Sequence, residues 1–249
     1  MEIIQLDEQN IETEHICCAI SGKENQQGVT NKKAWLKKRM QEGLVFKKMD
    51  VRGKVFVEYI PAEFAWRPIH APGYMFIHCL WVSGSYQKKG YAKRLLEACL
   101  NDSKNKAGVC VVTSKKTFLT DKKFFEKFGF EQCDSAPPHF ELMFKKFDSK
   151  AENPSFTPSA KKLKVRSKAD LYFHYTDQCP FTHHYVNVMA EVGKAKNLSI
   201  EIKKITTCKQ AQKLPSAFGT FGVYLRGEFL THQIFGAKGF AKYLEKNLK

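Results

Sequence analysis

One short loop combines the residue types that can bind a phosphate. Residues Gln87-Lys88-Lys89-Gly90-Tyr91-Ala92 follow an apolar run and precede a helical pattern. The first amides of a helix lack intrahelical partners and lie at the positive end of the helix dipole, so a tight loop there can surround a pyrophosphate with N–H donors. A plain helix start has the same pattern, so the hexapeptide alone leaves both interpretations open.

The flanking elements place this loop at the end of a buried strand. Residues 74–82 form a nearly continuous apolar run, which is typical of a central strand, and residues 91–99 carry a helical apolar repeat. Other elements alternate around them: a helix at 34–41, strands at 44–49, 54–60 and 109–113, a helix at about 121–128, and strands near 130–133 and 139–147. The pattern predicts an α/β (α+β) domain.

Together with the downstream segment Phe124–Phe130, the loop resembles the acetyl-CoA core of the GNAT (GCN5-related) N-acetyltransferases. Gln87 to Ala92 match the family's pyrophosphate loop, and Phe125 to Phe130 resemble its Tyr-x-Lys-x-Gly-Phe ending. The resemblance covers residues 1–147 and implies a GNAT acetyltransferase fold with acetyl-CoA as the acyl-donor cosubstrate. It implies that backbone groups of Leu80, Trp81 and Val82 hold the pantetheine arm. It also implies a pyrophosphate site made by the amides of Gln87, Lys88, Lys89, Gly90, Tyr91, Ala92 and Lys93.

Two positions depart from that family's catalytic pattern. Acetyl transfer to an amine needs a proton acceptor, and the thiolate leaving group benefits from a nearby acid. The family often supplies the acid as a Tyr that matches Phe125 here, and some members supply a Glu base that matches Phe76. Neither phenylalanine can exchange a proton, so the resemblance does not settle the catalytic residues.

Nearby titratable residues are candidate replacements. His78 follows Phe76 by two residues, so on a strand it shares that face, and its imidazole could act as a base. A hydrogen-bonded core histidine has the same pattern. Glu63, and less strongly Glu58, could reach the acceptor amine, although a solvated glutamate at a strand end is equally compatible. Tyr86 and Tyr74 are candidate acids.

The stretch from Glu63 to Gly73 is rich in aromatic residues and proline and lies between two predicted strands. We expect it to line the acceptor side of the site. An aromatic wall suits a small amine with an apolar body.

A second unit follows, and its chemistry centres on Cys179. Strand 171–175 precedes Cys179-Pro180, and a helix at about 182–196 follows, so the helix N-terminus could stabilise a thiolate. The turn resembles the active-site turn of the thioredoxin and glutaredoxin fold, with Thr182 replacing the second cysteine and Gly219 at the cis-proline position. Both departures argue against a dithiol oxidoreductase. Cys179 is therefore interpreted either as a reactive or substrate-contacting thiol or as a remnant of the fold.

The remaining elements of this unit predict a small thioredoxin-like α/β domain: strands at 200–205, 222–225 and 228–231, and helices at 208–214 and 238–247. Over about residues 205–245 the chain resembles the YoaP-like acetyltransferases of bacteria and archaea. Residues 148–168 are rich in proline, serine and lysine and poor in large apolar groups, so they predict a linker that does not bury itself. The predicted boundaries are thus 1–147, 148–168 and 169–249.

Charge and composition limit the partners. The chain has 249 residues and a formal net charge of +16, but it lacks a basic motif interleaved with stacked aromatics, so a nucleic-acid partner is the least favoured. No apolar run reaches the roughly 20 residues of a membrane span, and the start lacks the pattern of a signal peptide. Cysteines are scattered without Cys-x-x-Cys, which argues against structural zinc. We expect a cytosolic monomer or homodimer.

These observations predict an acetyl-CoA-dependent N-acetyltransferase that acts by direct transfer within a ternary complex. The expected acceptor is a primary amine of a small molecule, and amines of proteins remain an alternative. A monothiol redox or thiol-binding protein centred on Cys179, with CoA as a regulatory ligand, is the alternative from another class. It requires a low pKa of the Cys179 thiol.

Overall fold

The structure is a computed structural model that describes residues 1–20, 22–116 and 118–248. The first part of the chain builds one large sheet flanked by helices on both faces. In chain order its elements are β1 (Ile3–Gln5), α1 (Gln26–Met40), β2 (Val45–Met49), β3 (Val55–Pro61), β4 (Ile69–His70), β5 (Tyr74–Val82), α2 (Tyr91–Asp102), β6 (Gly108–Thr113), α3 (Lys122–Glu126), β7 (Glu131–Ala136) and β8 (Phe140–Lys146). The predicted α/β class is confirmed.

The large sheet has the strand order β1-β2-β3-β5-β6-β8-β7. Every neighbouring pair is antiparallel except β5 and β6, which are parallel. That parallel pairing runs from Tyr74 opposite Gly108 to Ile77 opposite Val111 and then stops, although β5 continues to Val82. The two central strands therefore separate at one end of the sheet, beside the loop that leads into α2.

Alternation along β3 assigns the two faces of the sheet. Val57 and Tyr59 pack with residues of α2 and α3, whereas Phe56 and Ile60 pack on the opposite face with Trp35 of α1. Glu58 lies between Phe56 and Ile60 and is fully buried on the α1 face. The strand thus carries one charged side chain into an otherwise apolar layer.

The second part of the chain forms a four-stranded sheet. Its elements are β9 (Ser155–Phe156), β10 (Leu171–Tyr175), α4 (Thr182–Lys194), β11 (Ile200–Lys204), α5 (Cys208–Ala211), β12 (Phe221–Leu225), β13 (Glu228–Thr231) and α6 (Ala237–Asn247). The order is β11-β10-β12-β13, with β10 parallel to β11 and antiparallel to β12. Whether this unit is thioredoxin-like stays a prediction.

The segment between the two sheets differs from its prediction as an unburied linker. Phe156 and Ala160 are buried, and β9 pairs with β4 of the first part of the chain in a separate two-stranded sheet. Farther along, the Leu163 amide donates to the Pro215 carbonyl and the Val165 amide to the Gly227 carbonyl. The expectation of an unburied segment is wrong, because two buried apolar side chains and backbone hydrogen bonds hold it against both parts of the chain.

The predicted boundaries of most elements agree with the structure to within a few residues. The main exception is α1, which begins at Gln26 instead of the predicted residue 34. Its first turns are polar and lack an apolar repeat, so periodicity could not reveal them. Across the described residues, no helix has both the length and the apolar content that a membrane span requires.

The two parts touch through a glycine of α1. A Cβ placed on Gly28 would lie 1.9 Å from the carbonyl oxygen of Pro180, in the turn before α4. The backbone of α1 therefore approaches that turn more closely than any side chain allows.

We expect Gly28→Ala to destabilise the protein by about 1–3 kcal/mol, because the methyl group collides with backbone and forces α1 and the Pro180 turn apart. The matched control is Gly239→Ala in α6, where the nearest atom to the new Cβ would be Phe235 Cδ1 at 3.5 Å. That control should be neutral or stabilising by up to about 1 kcal/mol, as for Gly to Ala in a helix. Urea unfolding of both variants tests the prediction, and equal effects would contradict it.

Candidate active site

The residues predicted to hold acetyl-CoA surround one cavity of about 590 Å³. It is lined by Leu80, Trp81, Val82, Gln87, Lys88, Gly90, Tyr91, Ala92 and Lys93 among others, whereas Lys89 does not line it. We call it the donor cavity. The local order of strand, loop and helix that the sequence predicted thus brings nine of the ten predicted residues to one place, and their role in binding stays a prediction.

The N-terminus of α2 has the properties of an anion-binding site. The first intrahelical bond runs from the Arg94 amide to the Gly90 carbonyl, so the amides before Arg94 have no acceptor within the helix. In the described part of the chain, no side chain caps this end. Lys88, Lys93 and Lys127 line the donor cavity, and Asp121 is the single acid among its described lining residues. Unpaired amides and excess positive charge fit the diphosphate of CoA.

Two positive φ angles shape this loop. Lys88 has φ +61° and Gly90 has φ +77°. A non-glycine residue in the left-handed region is strained, and such strain persists where the surrounding structure requires it. Turns with successive backbone N–H groups can form anion-binding concavities.

A second cavity, of about 130 Å³, lies between the two parts of the chain. The first part contributes Glu58, Arg67, His78, Cys79 and Trp81 among others, and the second part contributes Gln178, Cys179, Pro180, Phe181, Phe218 and Thr220. We call it the acceptor cavity. Leu119 lines the donor cavity, the acceptor cavity and a narrow space between them at the gap where β5 and β6 separate.

A β-bulge sets the side chains of β5 at this point. Glu58 pairs with Cys79 and Tyr59 pairs with Ile77, so His78 is the extra residue. A bulge turns two consecutive residues toward the same face. His78 and Cys79 consequently both line the acceptor cavity with Trp81, on the face of Glu58.

Glu58 is the centre of a buried polar network. Its Oε2 accepts a short hydrogen bond from Lys32 Nζ, and its Oε1 lies 3.1 Å from His78 Nδ1 and 3.3 Å from Gln178 Nε2. Burial alone would raise the pKa of Glu58, but the charge of Lys32 and the hydrogen bond from His78 outweigh it and lower that pKa to about 2. The carboxylate is therefore ionised at neutral pH.

His78 is not free to act as the predicted base. Its Nε2 accepts the backbone N–H of Trp66 at 3.0 Å, so its Nδ1 carries the proton and donates to Glu58. Burial lowers the pKa of His78 to about 4 in spite of the hydrogen bond to Glu58. Both ring nitrogens are occupied, so the geometry corresponds to the hydrogen-bonded core histidine that the sequence left open.

Arg67 and Gln178 connect the two parts of the chain. Arg67 Nη1 donates to Gln178 Oε1 at 2.7 Å, and Thr220 Oγ1 donates to the same oxygen at 3.3 Å. Because the Gln178 amide also reaches Glu58, one side chain of the second part joins the cation and the anion of the first. The acceptor cavity is thus assembled only when both parts pack together.

Cys179 lines the acceptor cavity, as do Cys18 and Cys79. Burial raises the pKa of Cys179 above its ordinary value, although the backbone amide of Phe181 opposes the shift. Burial also raises the pKa of Cys79 to about 12. All three side chains are thiols at neutral pH, and in the described part of the chain no group of three or more His, Cys, Asp or Glu side chains could hold a metal ion.

Other predicted residues lie away from the acceptor cavity. Glu63 is exposed, and its Oε1 accepts the Gly73 amide at 2.7 Å, so it does not reach that cavity. Tyr86 lines the donor cavity, and its hydroxyl donates weakly to the Arg52 carbonyl at 3.4 Å. Tyr74 and Phe76 are buried in the core. Neither Glu63 nor Tyr86 is therefore among the described residues that line the acceptor cavity.

Sequence reasoning missed three residues of the polar network: Lys32, Arg67 and Gln178. Arg67 belongs to the stretch that is predicted to line the acceptor side of the site. That prediction rests on the aromatic residues of the stretch and assigns no role to the Arg67 charge. Lys32 lies on a polar helix, and Gln178 directly precedes the singled-out Cys179. Nothing local to either residue marks it as buried.

Comparison with known proteins supports two family matches. Residues 51–132 match the model for the acetyltransferase (GNAT) domain, and residues 199–242 match the YoaP-like model. Among solved structures, the acetyltransferase yncA from Salmonella typhimurium is 14% identical, with 61% of this chain and 96% of that chain covered and a TM-score of 0.44. The aminoglycoside 6'-N-acetyltransferase from Enterococcus faecium is also 14% identical, covering 61% and 100%, with a TM-score of 0.43. Those two likenesses carry no argument about function.

A curated relative extends over nearly the whole chain. The protein named uncharacterized N-acetyltransferase YoaP from Bacillus subtilis (strain 168) is 42% identical over 245 residues, which cover 97% of each chain. With the GNAT match this confirms the expected enzyme class and acetyl-CoA as the acyl donor. The chain therefore belongs to the YoaP-like family of GNAT N-acetyltransferases.

Proposed function

We propose that this acetyltransferase acts on a small-molecule amine that binds in the acceptor cavity between the two parts of the chain. The observation that carries the proposal is that Leu119 lines both the donor and the acceptor cavity, at the gap between β5 and β6. Acetyl-CoA entering along Leu80 to Val82 would therefore meet an acceptor without leaving the protein. This arrangement supports direct transfer within a ternary complex.

The size and lining of the acceptor cavity favour a compact molecule. A dry cavity near 150 Å³ holds a molecule the size of benzene, and the volume here is about 130 Å³. Phe46, Phe56, Trp81 and Phe218 line it. An amine with a small apolar body fits better than a protein side chain that must thread between the two parts.

Glu58 stabilises the positive charge that develops on the acceptor nitrogen. Bound acetyl-CoA would supply the acetyl group as a thioester, and the departing CoA thiolate would take up the proton lost by the acceptor nitrogen, directly or through water. A carboxylate whose pKa is about 2 attracts a cation but hardly takes up its proton at neutral pH, so Glu58 acts through its fixed charge instead of as a base. His78 and Lys32 hold the carboxylate in position.

The alternative of a redox protein centred on Cys179 finds no support. It requires a thiol that ionises readily, whereas burial raises the pKa of Cys179. We assign this thiol to the wall of the acceptor cavity.

We expect Gly90→Glu to weaken binding of acetyl-CoA by at least about 100-fold. The new side chain would bring a negative charge to the unpaired amides and lysines of the donor cavity, where it competes with the diphosphate. Calorimetric titration with acetyl-CoA and with CoA measures the effect.

Gly84→Glu is the matched control. Gly84 also has a positive φ, of +57°, and like Gly90 it has open space where a Cβ would be, but it does not line the donor cavity. The two variants share the added charge and the backbone strain. Equal loss of affinity in both would attribute the effect to strain, and no binding by the wild type would refute the donor site.

A further inference from the structure

Arg67 is a buried cation, and no acidic side chain of the described residues lies within ion-pair distance of it. The residue is 3% exposed, and it lines the acceptor cavity. Its Nη1 donates to the Trp66 carbonyl at 2.8 Å and to Gln178 Oε1 at 2.7 Å. Throughout the described residues, its Nε and Nη2 have no hydrogen-bond acceptor, and its guanidinium forms no ion pair.

Burial of the Arg67 guanidinium destabilises the fold unless a bound anion supplies the missing counter-charge and hydrogen-bond acceptors. A buried charge normally needs both a counter-charge and full hydrogen bonding. Burial lowers the pKa of Arg67 to about 10, which still leaves the guanidinium charged at neutral pH. Its present partners are neutral, namely a carbonyl, an amide and the Phe218 ring 5.8 Å from the guanidinium carbon, so the guanidinium keeps donors for an anion.

The lining of the acceptor cavity as a whole has more basic than acidic side chains. Lys32, Lys54 and Arg67 line it, and among its described lining residues Glu58 is the single acid. The carboxylate of Glu58 is already paired with Lys32 and His78. The excess of positive charge would repel a polycationic acceptor and attract an anionic one.

We propose that the acceptor is an amine that also carries a carboxylate, which binds the guanidinium of Arg67 in the manner of an amino acid. This inference rests on the proposed function and names the acceptor class of the same site. An arginine fork is suited to bidentate recognition of a planar carboxylate. The aromatic lining then receives the apolar body of the molecule.

The spacing of the charged groups supports an α-amino acid. Gln178 contacts Arg67 at 2.7 Å and Glu58 at 3.3 Å, so with standard amide bond lengths the two charged groups lie within about 8 Å of each other. The amine and carboxylate of an α-amino acid are roughly 3 Å apart, and a hydrogen bond of about 2.8 Å at each end extends this reach to about 9 Å, so one molecule can contact both groups. The carboxylate then lies at Arg67 and the amino group lies toward Glu58.

The test compares matched ligands with and without the carboxylate. L-alanine and L-valine, and their decarboxylated counterparts ethylamine and isobutylamine, are titrated calorimetrically into the wild-type protein saturated with CoA. We expect the amino acids to bind at least about 50-fold more tightly than the amines. Equal or weaker binding of the amino acids would overturn the inference.

Variants at Arg67 provide the second readout. Arg67→Lys keeps the charge and loses the planar fork, so we expect the amino acids to lose about 10-fold in affinity and the amines to be unaffected. Arg67→Met should cost about 100-fold for the amino acids if it folds, which is the range for truncating one partner of a buried charge pair. The control Arg39→Met removes an arginine that pairs with Glu42 and does not line the cavity. Equal losses for amines and amino acids in Arg67→Lys would refute the assignment.

Release of CoA from acetyl-CoA, measured with the same four compounds, separates the two proposals. Turnover with the amines but not with the amino acids would retain the proposed acetyl transfer and overturn the carboxylate inference. Arg67-dependent binding of amino acids without any turnover would support the carboxylate site and contradict the proposed function.

Discussion

Glu58→Gln is expected to reduce acetyl transfer by about 100-fold or more and to destabilise the protein by roughly 3–5 kcal/mol. The substitution leaves Lys32, which is 4% exposed, as a buried cation without its counter-charge, and removal of one partner of a buried ion pair costs about that much. The fixed negative charge that would stabilise the acceptor nitrogen is lost at the same time, and loss of one such electrostatic contact typically costs 10²–10³ in kcat.

Stability and catalysis can be separated with the double variant Lys32→Met/Glu58→Gln. Replacing both partners removes the uncompensated charge, so much of the lost stability should return, because neutral replacements of buried ion pairs are often tolerated. Acetyl transfer should not return, since the negative charge is still missing. Urea unfolding and CoA release are measured on the wild type and on both variants. Recovery of activity together with stability would show that Glu58 acts only through the fold.

The donor cavity was predictable because its residues are close in sequence. Strand, loop and helix follow one another from Tyr74 to Asp102, and unpaired amides are a local property of any helix start. Nine of the ten residues predicted for this site accordingly line one cavity. The tenth, Lys89, lies in the same loop but does not line that cavity, a detail that residue type cannot specify.

The acceptor cavity was not predictable because it is built across the chain. Arg67 and Gln178 are 111 positions apart, and Glu58 and Gln178 are 120 apart. The bulge that turns His78 and Cys79 to one face depends on how β3 and β5 pair, which the alternation of either strand does not reveal. The sequence still predicts the correct face for His78, because His78 follows Phe76 by two residues. It does not predict the Trp66 amide that donates to His78 Nε2.

The burial of the segment 148–168 could not be predicted from its amino-acid composition. A lysine- and proline-rich stretch predicts a solvated linker on average, yet Phe156 and Ala160 are enough to seat it between the sheets. Because this segment contacts both parts, it also fixes their packing, on which the acceptor cavity depends. Composition describes a whole stretch, whereas burial is decided by single side chains.

His174 is expected to make the protein sensitive to mild acid. Its imidazole lies in β10, is fully buried, and within the described structure has no hydrogen-bond partner at either nitrogen. Burial, assisted by the charge of Lys203, lowers the pKa of His174 to about 3. The unfolded chain takes up a proton near pH 6.5 and the folded chain does not, so stability falls as the pH drops from about 6.5 toward 3.

His174→Phe should remove this part of the acid sensitivity. Each pH unit in that window costs about 1.4 kcal/mol for one proton, so between pH 6 and pH 4.5 the wild type should lose about 2 kcal/mol more than the variant. The phenyl ring keeps the contact with Tyr224, whose ring centroid lies 5.7 Å from that of the imidazole. Urea unfolding at a series of pH values measures the difference.

Tyr224→Phe is the control for this experiment. It removes a buried hydroxyl that also lacks a hydrogen-bond partner in the described structure, beside the same imidazole, but it leaves the titrating group in place. Burial raises the pKa of Tyr224, so its hydroxyl stays protonated throughout the acid range and its loss should not change the slope. His78 contributes its own acid sensitivity equally in all three proteins. A slope that is unchanged in His174→Phe would mean that the folded chain already binds a proton at His174, which burial without a partner should prevent.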